Sequence, residues 1–411
     1  MERVMDQSEV TSASLIQDAL DDMAATGGRV VLPAMELELD RGLRLHTGII
    51  LEGQGDETIL RKGPGRIYPL TGYHNYGMHD VPVDSTEGLE VGMTVSIHDD
   101  RTYGGFYETL ATIADIEKGW VRLDHGIEAD YLAEASPCLT TAYPMIYGHN
   151  IGHAGIRNLY LDGNRAENER AMGGCRGSAV YFYRSHQLEV SGVSEKDYHG
   201  EGLGFQMCRD VAVKDCTSNQ NSGNGLHPGA GSTNVLFEGC TSSGNEKSGF
   251  FFCVRANHIT VRDCTFRDNT EGISIGTRDC HNLIEDCAIE RNREAGILVR
   301  RTPSPTEVHS CVIRDCWISE NATDGGRGQV ELVGDAHDVQ IQHNRISGTH
   351  DRELPGIFAE PTVRRIHLMD NMFENCVPEV TAPREGLSDV PLTMTVGYGT
   401  ADTQDFKHLG L

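Results

Sequence analysis

Short apolar strands recur along the chain from about residue 188, and each ends in a polar pair followed by cysteine. The series reads VAVKDC ending at Cys216, VLFEGC at Cys240, ITVRDC at Cys264, LIEDC at Cys287 and CVIRDC at Cys316. VQIQHN and IHLMDN continue it, with Asn344 and Asn371 at the cysteine position. A unit of about 24 residues is too short for a β-α-β crossover and lacks helical periodicity. It suits one turn of a β-helix, in which short strands are separated by corners.

A second repeat runs in step with the first. Glycine opens a β-rich tetrad at Gly202, Gly225, Gly249, Gly272 and Gly296, and longer loops precede Gly328 and Gly356. Two registers in step predict an all-β chain, a single-stranded parallel β-helix whose equivalent residues stack about 4.8 Å apart. The Cys and Asn columns are expected inside the solenoid, where small polarisable side chains pack well. The glycines are expected at corners that need a positive φ or a close backbone approach.

The two ends and one internal stretch depart from the repeat. Leu15, Ile16, Ala19, Leu20 and Met23 form a helical stripe, which predicts a helix that caps the solenoid. Residues 72–145 contain strand-like segments, which predict a small β insertion. We therefore divide the chain into an N-terminal cap with the first coils (1–70), an inserted β subdomain (71–146), the main parallel β-helix (147–379) and a C-terminal tail (380–411).

Two local motifs resemble a known group of proteins. A helix followed by GG-x-V-x-LP and L-x-G-x-G-x-x-T-x-L, together with NLYLDGN at Asn158–Asn164, resembles the pectate-lyase-like superfamily. The resemblance covers about residues 1–70 and 150–375. It implies a right-handed parallel β-helix, an outer groove on one sheet and action on an oligosaccharide or polysaccharide. Many members use Ca²⁺, but no acidic calcium cluster is evident here, so we expect no cofactor and no metal. β-Helix proteins often form trimers, which leaves a homo-oligomer open.

The net charge and the apolar segments of the chain limit the kinds of partner that we expect. The formal net charge is −26, from 35 Lys and Arg against 61 Asp and Glu. Nucleic acid is therefore not expected as a partner, and an acidic substrate needs a local basic patch. The N-terminus has no basic region followed by an apolar stretch, and no apolar run is long enough to span a bilayer. We expect a cytoplasmic protein with reduced cysteines and no membrane contact, unless a leader has been removed.

Strand alternation places one cluster on the outer face. Leu203, Phe205, Phe250, Phe252, Ile273, Ile275, Ile297 and Val299 are expected inside. His227 then faces out among glycines, where its pKa near neutrality suits proton transfer. Arg255 and Arg278 are expected in one column, with Arg300 nearby, and two stacked guanidinium groups favour an anion such as a uronate carboxylate between them. The alternative is an ordinary surface ion pair with Asp279, Glu246 or Glu271.

The corner before Gly202 supplies further titratable groups. Asp197, Tyr198, His199 and Glu201 fall within five residues, so we expect acid or base chemistry there beside His227, although an ordinary polar turn explains them equally well. The candidate catalytic residues are therefore these four with His227, Arg255 and Arg278. Candidate substrate contacts are Gln206, Glu246, Lys247, Glu271, Asp279 and Arg300.

Three functions fit these residues. The first is a lyase that cleaves a uronate-containing glycan by β-elimination, with arginines neutralising the carboxylate and a histidine or tyrosine moving the protons. The second is a glycoside hydrolase with a carboxylate pair, and an epimerase shares the proton abstraction of the lyase. The third is a non-catalytic glycan-binding β-helix. Trp120 and Trp317, the only tryptophans, lie outside the expected groove, which argues against a pure binder.

Overall fold

The structure is a computed structural model, and it describes residues 1–72, 74–101 and 106–402. Eleven short strands stack in parallel to form one face of a β-helix, here called the front sheet. Its strands are Leu43–Arg44, Ile146–His149, Ser178–Tyr183, Glu201–Gln206, Leu226–Pro228, Phe250–Phe251, Ile273–Ile275, Ile297–Val299, Val330–Leu332, Ile357–Ala359 and Val380–Thr381.

The remaining faces of the β-helix form one continuous sheet of 21 strands, here called the back sheet. Its strands are Glu2–Val4, Gly28–Val31, Met35–Leu39, Ile49–Lys62, Gly152–Asp162, His186–Lys196, Arg209–Lys214, Thr217–Asn219, Thr233–Glu238, Thr241–Ser243, Asn257–Arg262, Thr265–Arg267, Leu283–Glu285, Ala288–Glu290, His309–Arg314, Trp317–Ser319, His337–Gln342, Arg345–Ser347, Arg364–Met369, Met372–Glu374 and Leu387–Ser388. Each turn of the chain passes once through the front sheet and then through the back sheet, so the all-β solenoid predicted from the repeat is confirmed.

The predicted register is also confirmed. Gly204 lies opposite His227 in the neighbouring front strand, and Leu203 lies opposite Leu226. All eight residues expected inside are at most 2% exposed. The cysteine column is buried as well, and Asn344 continues it by accepting a hydrogen bond from the Cys316 backbone N–H at 3.0 Å. The two sequence repeats therefore report the stacking of successive turns.

Of the two reasons expected for the glycines of the repeat, only the close backbone approach applies. None of these glycines has a positive φ among the described residues. They are required by close approach, because a Cβ on Gly225 would lie 1.9 Å from the Ser242 Oγ. Positive φ occurs instead directly before the cysteines, at Asp215 (51°), Asp263 (52°) and Asp286 (53°). Aspartate tolerates the left-handed region better than most residues, which explains the Asp-Cys pairs.

A second polar column lies inside the solenoid and was not predicted. Asn221, Asn245, Asn269, Asn292 and Asn321 are each 0% exposed and stack in successive turns. From Asn245 onward their side chains bond one another along the axis, as the Asn245 Nδ2 donates to the Asn269 Oδ1 at 2.9 Å. Each carboxamide also accepts a hydrogen bond from the backbone of the preceding turn. The column satisfies polar groups at a corner that is buried from solvent.

Glu195 ends this column on its N-terminal side. Its Oε2 accepts hydrogen bonds from the Ser218 Oγ at 2.8 Å and the Asn221 Nδ2 at 3.0 Å, while its Oε1 is buried without a partner among the described residues. Burial raises the pKa of Glu195 to about 8, against the hydrogen bonds that lower it. The carboxyl group is therefore protonated at neutral pH.

The capping helix spans Ala13–Met23. Ile16, Ala19, Leu20 and Met23 join the solenoid core, as predicted. The prediction is wrong for Leu15, which is 39% exposed because it lies on the solvent side of the helix. Three-residue 3-10 helices occur at Ala133–Ala135, Arg165–Glu167, Gly174–Arg176 and Arg384–Gly386. No helix in the described part of the chain is long and apolar enough to cross a membrane.

The insertion is a six-stranded antiparallel sheet. Its strands are Ile67–Pro69, Asp80–Pro82, Thr94–His98, Thr109–Glu117, Trp120–Leu123 and Cys138–Thr140. It has a hydrophobic core of its own, which includes Val95, Ile97 and Val121. A second, smaller cluster joins Leu110 of the insertion to Tyr181 of the front sheet. The insertion is thereby fixed against the outer surface of the β-helix.

The C-terminal segment folds back over the outside of the back sheet. The Gln340 side chain donates to the Leu392 carbonyl at 2.5 Å, and further along the Gly397 N–H donates to the His281 carbonyl at 2.7 Å. The Gly399 N–H then donates to the Asn234 Oδ1 at 2.7 Å. The tail therefore runs from the C-terminal turns back toward the middle of the solenoid.

Candidate active site

A groove of about 570 Å³ lies along the corner at which the front strands begin. It is lined by Ala171, Met172, Gly173, Cys175, Gly200, Glu201, Ser222, Gly223, Asn224, His227, Glu246, Lys247, Ser248, Phe251, Cys253, Thr270, Glu271, Ser274 and Arg300. Six residues predicted from the sequence meet here: Glu201, His227, Glu246, Lys247, Glu271 and Arg300. The groove is the place where acid, base and cationic groups converge.

His227 and Glu201 form a hydrogen-bonded pair in this groove. The His227 Nδ1 contacts the Glu201 Oε2, and the other Glu201 oxygen accepts from the Asn224 Nδ2 at 2.7 Å. Both side chains are largely buried, at 4% and 12% exposure. The His227 Nε2 is buried without a hydrogen-bond partner in the described ranges. The edge of the imidazole packs against the Phe251 ring at 5.2 Å between centroids.

The environment of His227 favours its charged form. Burial opposes protonation, but the charge of Glu201 and the contact with the Cys253 thiol outweigh it and raise the pKa of His227 to about 10. His227 is therefore an imidazolium at neutral pH. The sequence argument, which assumed a pKa near neutrality, is corrected by this geometry: His227 is a proton donor or a fixed positive charge rather than a free base.

Glu271 supplies a second carboxylate in the same column as Glu201. The turns that carry Glu201, Asn224, Ser248 and Glu271 are consecutive. The Ser248 hydroxyl donates to the Glu271 Oε2 at 2.7 Å, while Asn224 donates to Glu201. Both carboxylates thus lean toward the two middle turns. Their backbone positions are three steps of about 4.8 Å apart, roughly 14 Å, and the inward lean brings the two carboxylates closer together than that.

Two cations complete the groove. The Arg300 guanidinium lies 4.2 Å from the Phe251 ring centroid and donates to the Ser274 Oγ at 2.8 Å and the Phe252 carbonyl at 2.9 Å. Burial lowers the pKa of Arg300, and the carboxylate of Asp279 opposes that effect. Lys247 is exposed at the rim, next to Glu246, which pairs with Arg165 at 2.5 Å. These cations can contact an anionic substrate.

Three corner residues predicted as acid or base groups do not line the groove. Tyr198 is 1% exposed, and its hydroxyl donates to the Tyr143 carbonyl at 2.8 Å inside the protein. The His199 Nδ1 contacts the Asn168 carbonyl at 2.5 Å, beneath the loop that closes the groove. Asp197 has a φ of 59° and forms the bend itself. Only Glu201 from this corner reaches the site, because the chain turns sharply before it.

The arginine column is also displaced. Arg255 and Arg278 occupy the corner where the front strands end, with φ values of 62° and 59°, and neither lines the groove. The Arg255 Nε is buried without a partner among the described residues, and Arg278 is exposed. The expected clamp on a substrate carboxylate is therefore not at the site.

Two expected substrate contacts are instead structural. The Gln206 Oε1 accepts from the Ala230 N–H at 2.5 Å, and Gln206 is 1% exposed. Asp279 is fully buried and accepts from the Ala256 and Gly276 N–H groups at 2.9 and 2.7 Å. Burial raises the pKa of Asp279 to about 7. Both side chains hold backbone at the corner and cannot contact a substrate in this arrangement.

The sequence reasoning missed Asn224, Ser248, Cys253 and the loop from Ala171 to Cys175. Asn224 and Ser248 directly precede glycines of the repeat, so extending that register by one residue would have found them. The loop carries no repeat signal. In the part of the chain that the structure describes, no group of three or more His, Cys, Asp or Glu side chains is arranged to hold a metal ion.

Comparisons with known proteins agree with this architecture. The family model for the right-handed beta helix region matches residues 251–382, and the model for the periplasmic copper-binding protein NosD matches residues 144–310. The Azotobacter vinelandii mannuronan C-5 epimerase AlgE4 A-module superposes with a TM-score of 0.56 at 16% identity, over 95% of this chain and 96% of that chain. No curated protein sequence matches at a significant level.

Two further solved structures are similar. The AlgE6 A-module from the same organism has a TM-score of 0.56 at 14% identity, over 94% of this chain and 97% of that chain. The polygalacturonase from Erwinia carotovora ssp. carotovora has a TM-score of 0.53 at 12% identity, over 94% and 95%. These neighbours are carbohydrate-acting proteins. The chain is a right-handed parallel β-helix repeat protein. This is the fold that the resemblance in the sequence motifs implied.

Proposed function

We propose that this protein is a carbohydrate-active enzyme that breaks a glycosidic bond in a uronate-containing glycan. The observation that carries the proposal is the pair of carboxylates, Glu201 and Glu271, in one column of the groove with protonated His227 beside Glu201. Paired carboxylates, one on each side of a scissile bond, are the usual machinery of glycoside hydrolysis.

A uronate substrate is supported by charge and by the comparisons. Lys247 and Arg300 line the groove in a chain whose net charge is −26, so they provide the local positive charge that an acidic glycan needs. Two of the similar structures are mannuronan epimerases and one is a polygalacturonase. Phe251, half-buried beside Arg300, offers an apolar surface for a sugar ring.

The spacing of the carboxylates favours hydrolysis with inversion. Inverting glycosidases hold the two groups about 6.5–9.5 Å apart and retaining ones about 5 Å apart. The backbone positions of Glu201 and Glu271 are three turns apart, roughly 14 Å, and both side chains lean inward, which suits the wider of these two separations. In this assignment Glu201, in contact with His227, activates water, and Glu271 protonates the leaving oxygen. Asn224 and Ser248 orient the two carboxylates and line the floor between them.

β-Elimination is the second candidate, and a specific observation favours it. His227 is held as an imidazolium in a groove that also contains Lys247 and Arg300. Positive groups of this kind stabilise the charge that develops when the proton at C5 of a uronate is removed. An epimerase would use the same proton abstraction without cleavage.

A single assay separates these reactions. The protein is incubated with uronate-containing and neutral oligosaccharides while reducing ends, the ultraviolet absorbance of unsaturated uronate and solvent deuterium at C5 are followed. New reducing ends without absorbance indicate hydrolysis, and reducing ends with absorbance indicate elimination. Deuterium incorporation without cleavage indicates epimerisation. Loss of the signal in Glu271→Gln but not in His343→Ala, an exposed histidine far from the groove, ties the reaction to this site. Binding without any turnover would leave a glycan-binding β-helix.

A further inference from the structure

We propose that the groove accepts the end of a glycan chain and not its interior, so that the enzyme is exo-acting. This inference rests on the proposed function. The turns of the β-helix toward the N-terminus have the same corner, but the groove does not extend over them. It stops at the turn of Gly200, where another part of the chain covers the corner.

The closing element, here called the wall, comprises residues 171–177. A Cβ on Gly200 would lie 2.5 Å from the Gly177 carbonyl and 2.9 Å from the Met172 carbonyl, so the wall rests directly on the solenoid. The Met172 N–H also donates to the His199 carbonyl at 2.9 Å. Met172 is 2% exposed and packs with Tyr181 of the front sheet. The space that a longer groove would need is therefore filled with side chains.

The insertion fixes the wall from the outside. The Gly173 N–H donates to the Glu108 carboxylate at 3.2 Å, and Arg176 pairs with Glu128. Just before the wall, Arg170 pairs with Asp100 at 2.9 Å and donates to the Asp99 carbonyl at 2.6 Å. Leu110 adds an apolar contact in the same cluster as Met172. These contacts make the wall part of a packed interface, and they give the insertion a role in substrate selection.

The position of the carboxylates relative to the wall completes the argument. Glu201 belongs to the turn that directly follows the wall, and Glu271 lies three turns further on. Beyond Glu271 the next residue at this corner, Glu294, is exposed. The groove floor is therefore roughly 14 Å long from Glu201 to Glu271, open at one end and closed at the other. A chain that enters from the open end can place only a short terminal piece against the wall.

The inference is tested by the products released from a long uronate glycan. An exo-acting enzyme releases one small product from the start, and its rate rises in proportion to chain ends when the same mass of polymer is first fragmented. A spread of intermediate fragments at early times would overturn the inference and leave the proposed function intact.

Binding gives a second readout that does not need turnover. With Glu271→Gln and calorimetry, a uronate tetrasaccharide and long chains of the same repeat should both bind one protein per chain. A stoichiometry that grows with chain length would overturn end recognition. Absence of both turnover and binding would overturn the inference together with the proposed function.

A wall variant adds a directional test. Arg170→Ala removes contacts to Asp99 and Asp100 and should loosen the wall, which shifts the early products toward longer fragments. Arg345→Ala, which breaks an ion pair with Glu374 on the back sheet, is the matched control and should keep the wild-type product pattern.

Discussion

Glu201 and Glu271 face each other along one column of the β-helix, three turns apart, and each is held by a polar residue of the nearer of the two turns between them. This relationship arises because equivalent residues of a solenoid stack in register, so a functional pair can be assembled from residues 70 positions apart in sequence.

Replacing either carboxylate isosterically should abolish turnover without unfolding the protein. For Glu271→Gln we expect the rate to fall by about 10²–10⁴-fold, the usual contribution of a positioned acid or base. NMR of the first product should show inversion at the anomeric carbon. Glu374→Gln, which changes an exposed carboxylate on the back sheet, should retain most activity. Retained activity in Glu271→Gln would remove it from the mechanism.

His227 should make stability depend on alkaline pH. Its folded pKa is raised from 6.5 to about 10, so its stabilising contribution is complete below pH 6.5 and is lost as pH rises toward 10. The full effect is on the order of a few kcal/mol. In His227→Asn this part of the pH slope should disappear when the melting temperature is measured from pH 6 to 10. An unchanged slope would mean that His227 is not charged in the folded protein.

Glu195 should act in the same pH direction through a different mechanism. Its folded pKa of about 8 exceeds 4.5, so folding favours its protonated form, and stability falls as pH rises from 4.5 to 8. Glu195→Gln keeps the shape and the hydrogen bonds without the charge. We expect the variant to gain about a few kcal/mol over wild type above pH 8 and little at pH 4.

The control for this prediction is Glu374→Gln, which alters an exposed carboxylate on the back sheet. Thermal unfolding across pH 4 to 9 compares the three proteins. Parallel curves for wild type and Glu195→Gln would contradict a protonated Glu195.

Replacing the buried Asn245 should be among the most destabilising substitutions in the chain. Asn245→Ala leaves the buried Asn221 N–H without its acceptor and removes one of the two donors to the buried Asn269 Oδ1. Unsatisfied buried groups cost about 1–3 kcal/mol each, so we expect a loss of about 2–5 kcal/mol in denaturant unfolding. Asn371→Ala, at a half-buried position at the end of the other asparagine column, should cost less. Equal costs would argue against the buried ladder as the cause.

The fold could be predicted from the sequence because each turn repeats the same short-range pattern. The Cys216 and Gly202 registers encode the stacking directly, and Leu203 and Phe205 show the inward face by alternation. The helix stripe was equally clear, apart from Leu15. These signals are local, and the solenoid only has to repeat them.

The site was only partly predictable, since it depends on how corners bend. Alternation placed His227 correctly, but it cannot show that Tyr198 turns inward while Glu201, three residues later, turns outward. Arg255 and Arg278 stack as expected, yet at the opposite corner of the front sheet. The wall formed by residues 171–177 depends on packing against an insertion that lies far earlier in the chain, for which the sequence offers no spacing rule.

The C-terminal tail changes how this solenoid should come apart. Repeat proteins whose turns contact only their neighbours tend to fray from the ends inward. Here Leu392 is hydrogen-bonded to Gln340 near the last turns, and Gly399 is hydrogen-bonded to Asn234 near the middle. Unfolding of the terminal turns therefore also disturbs contacts with central turns. The tail therefore links turns that would otherwise separate one by one. The groove-bearing turns and the C-terminal turns should unfold together in one cooperative transition.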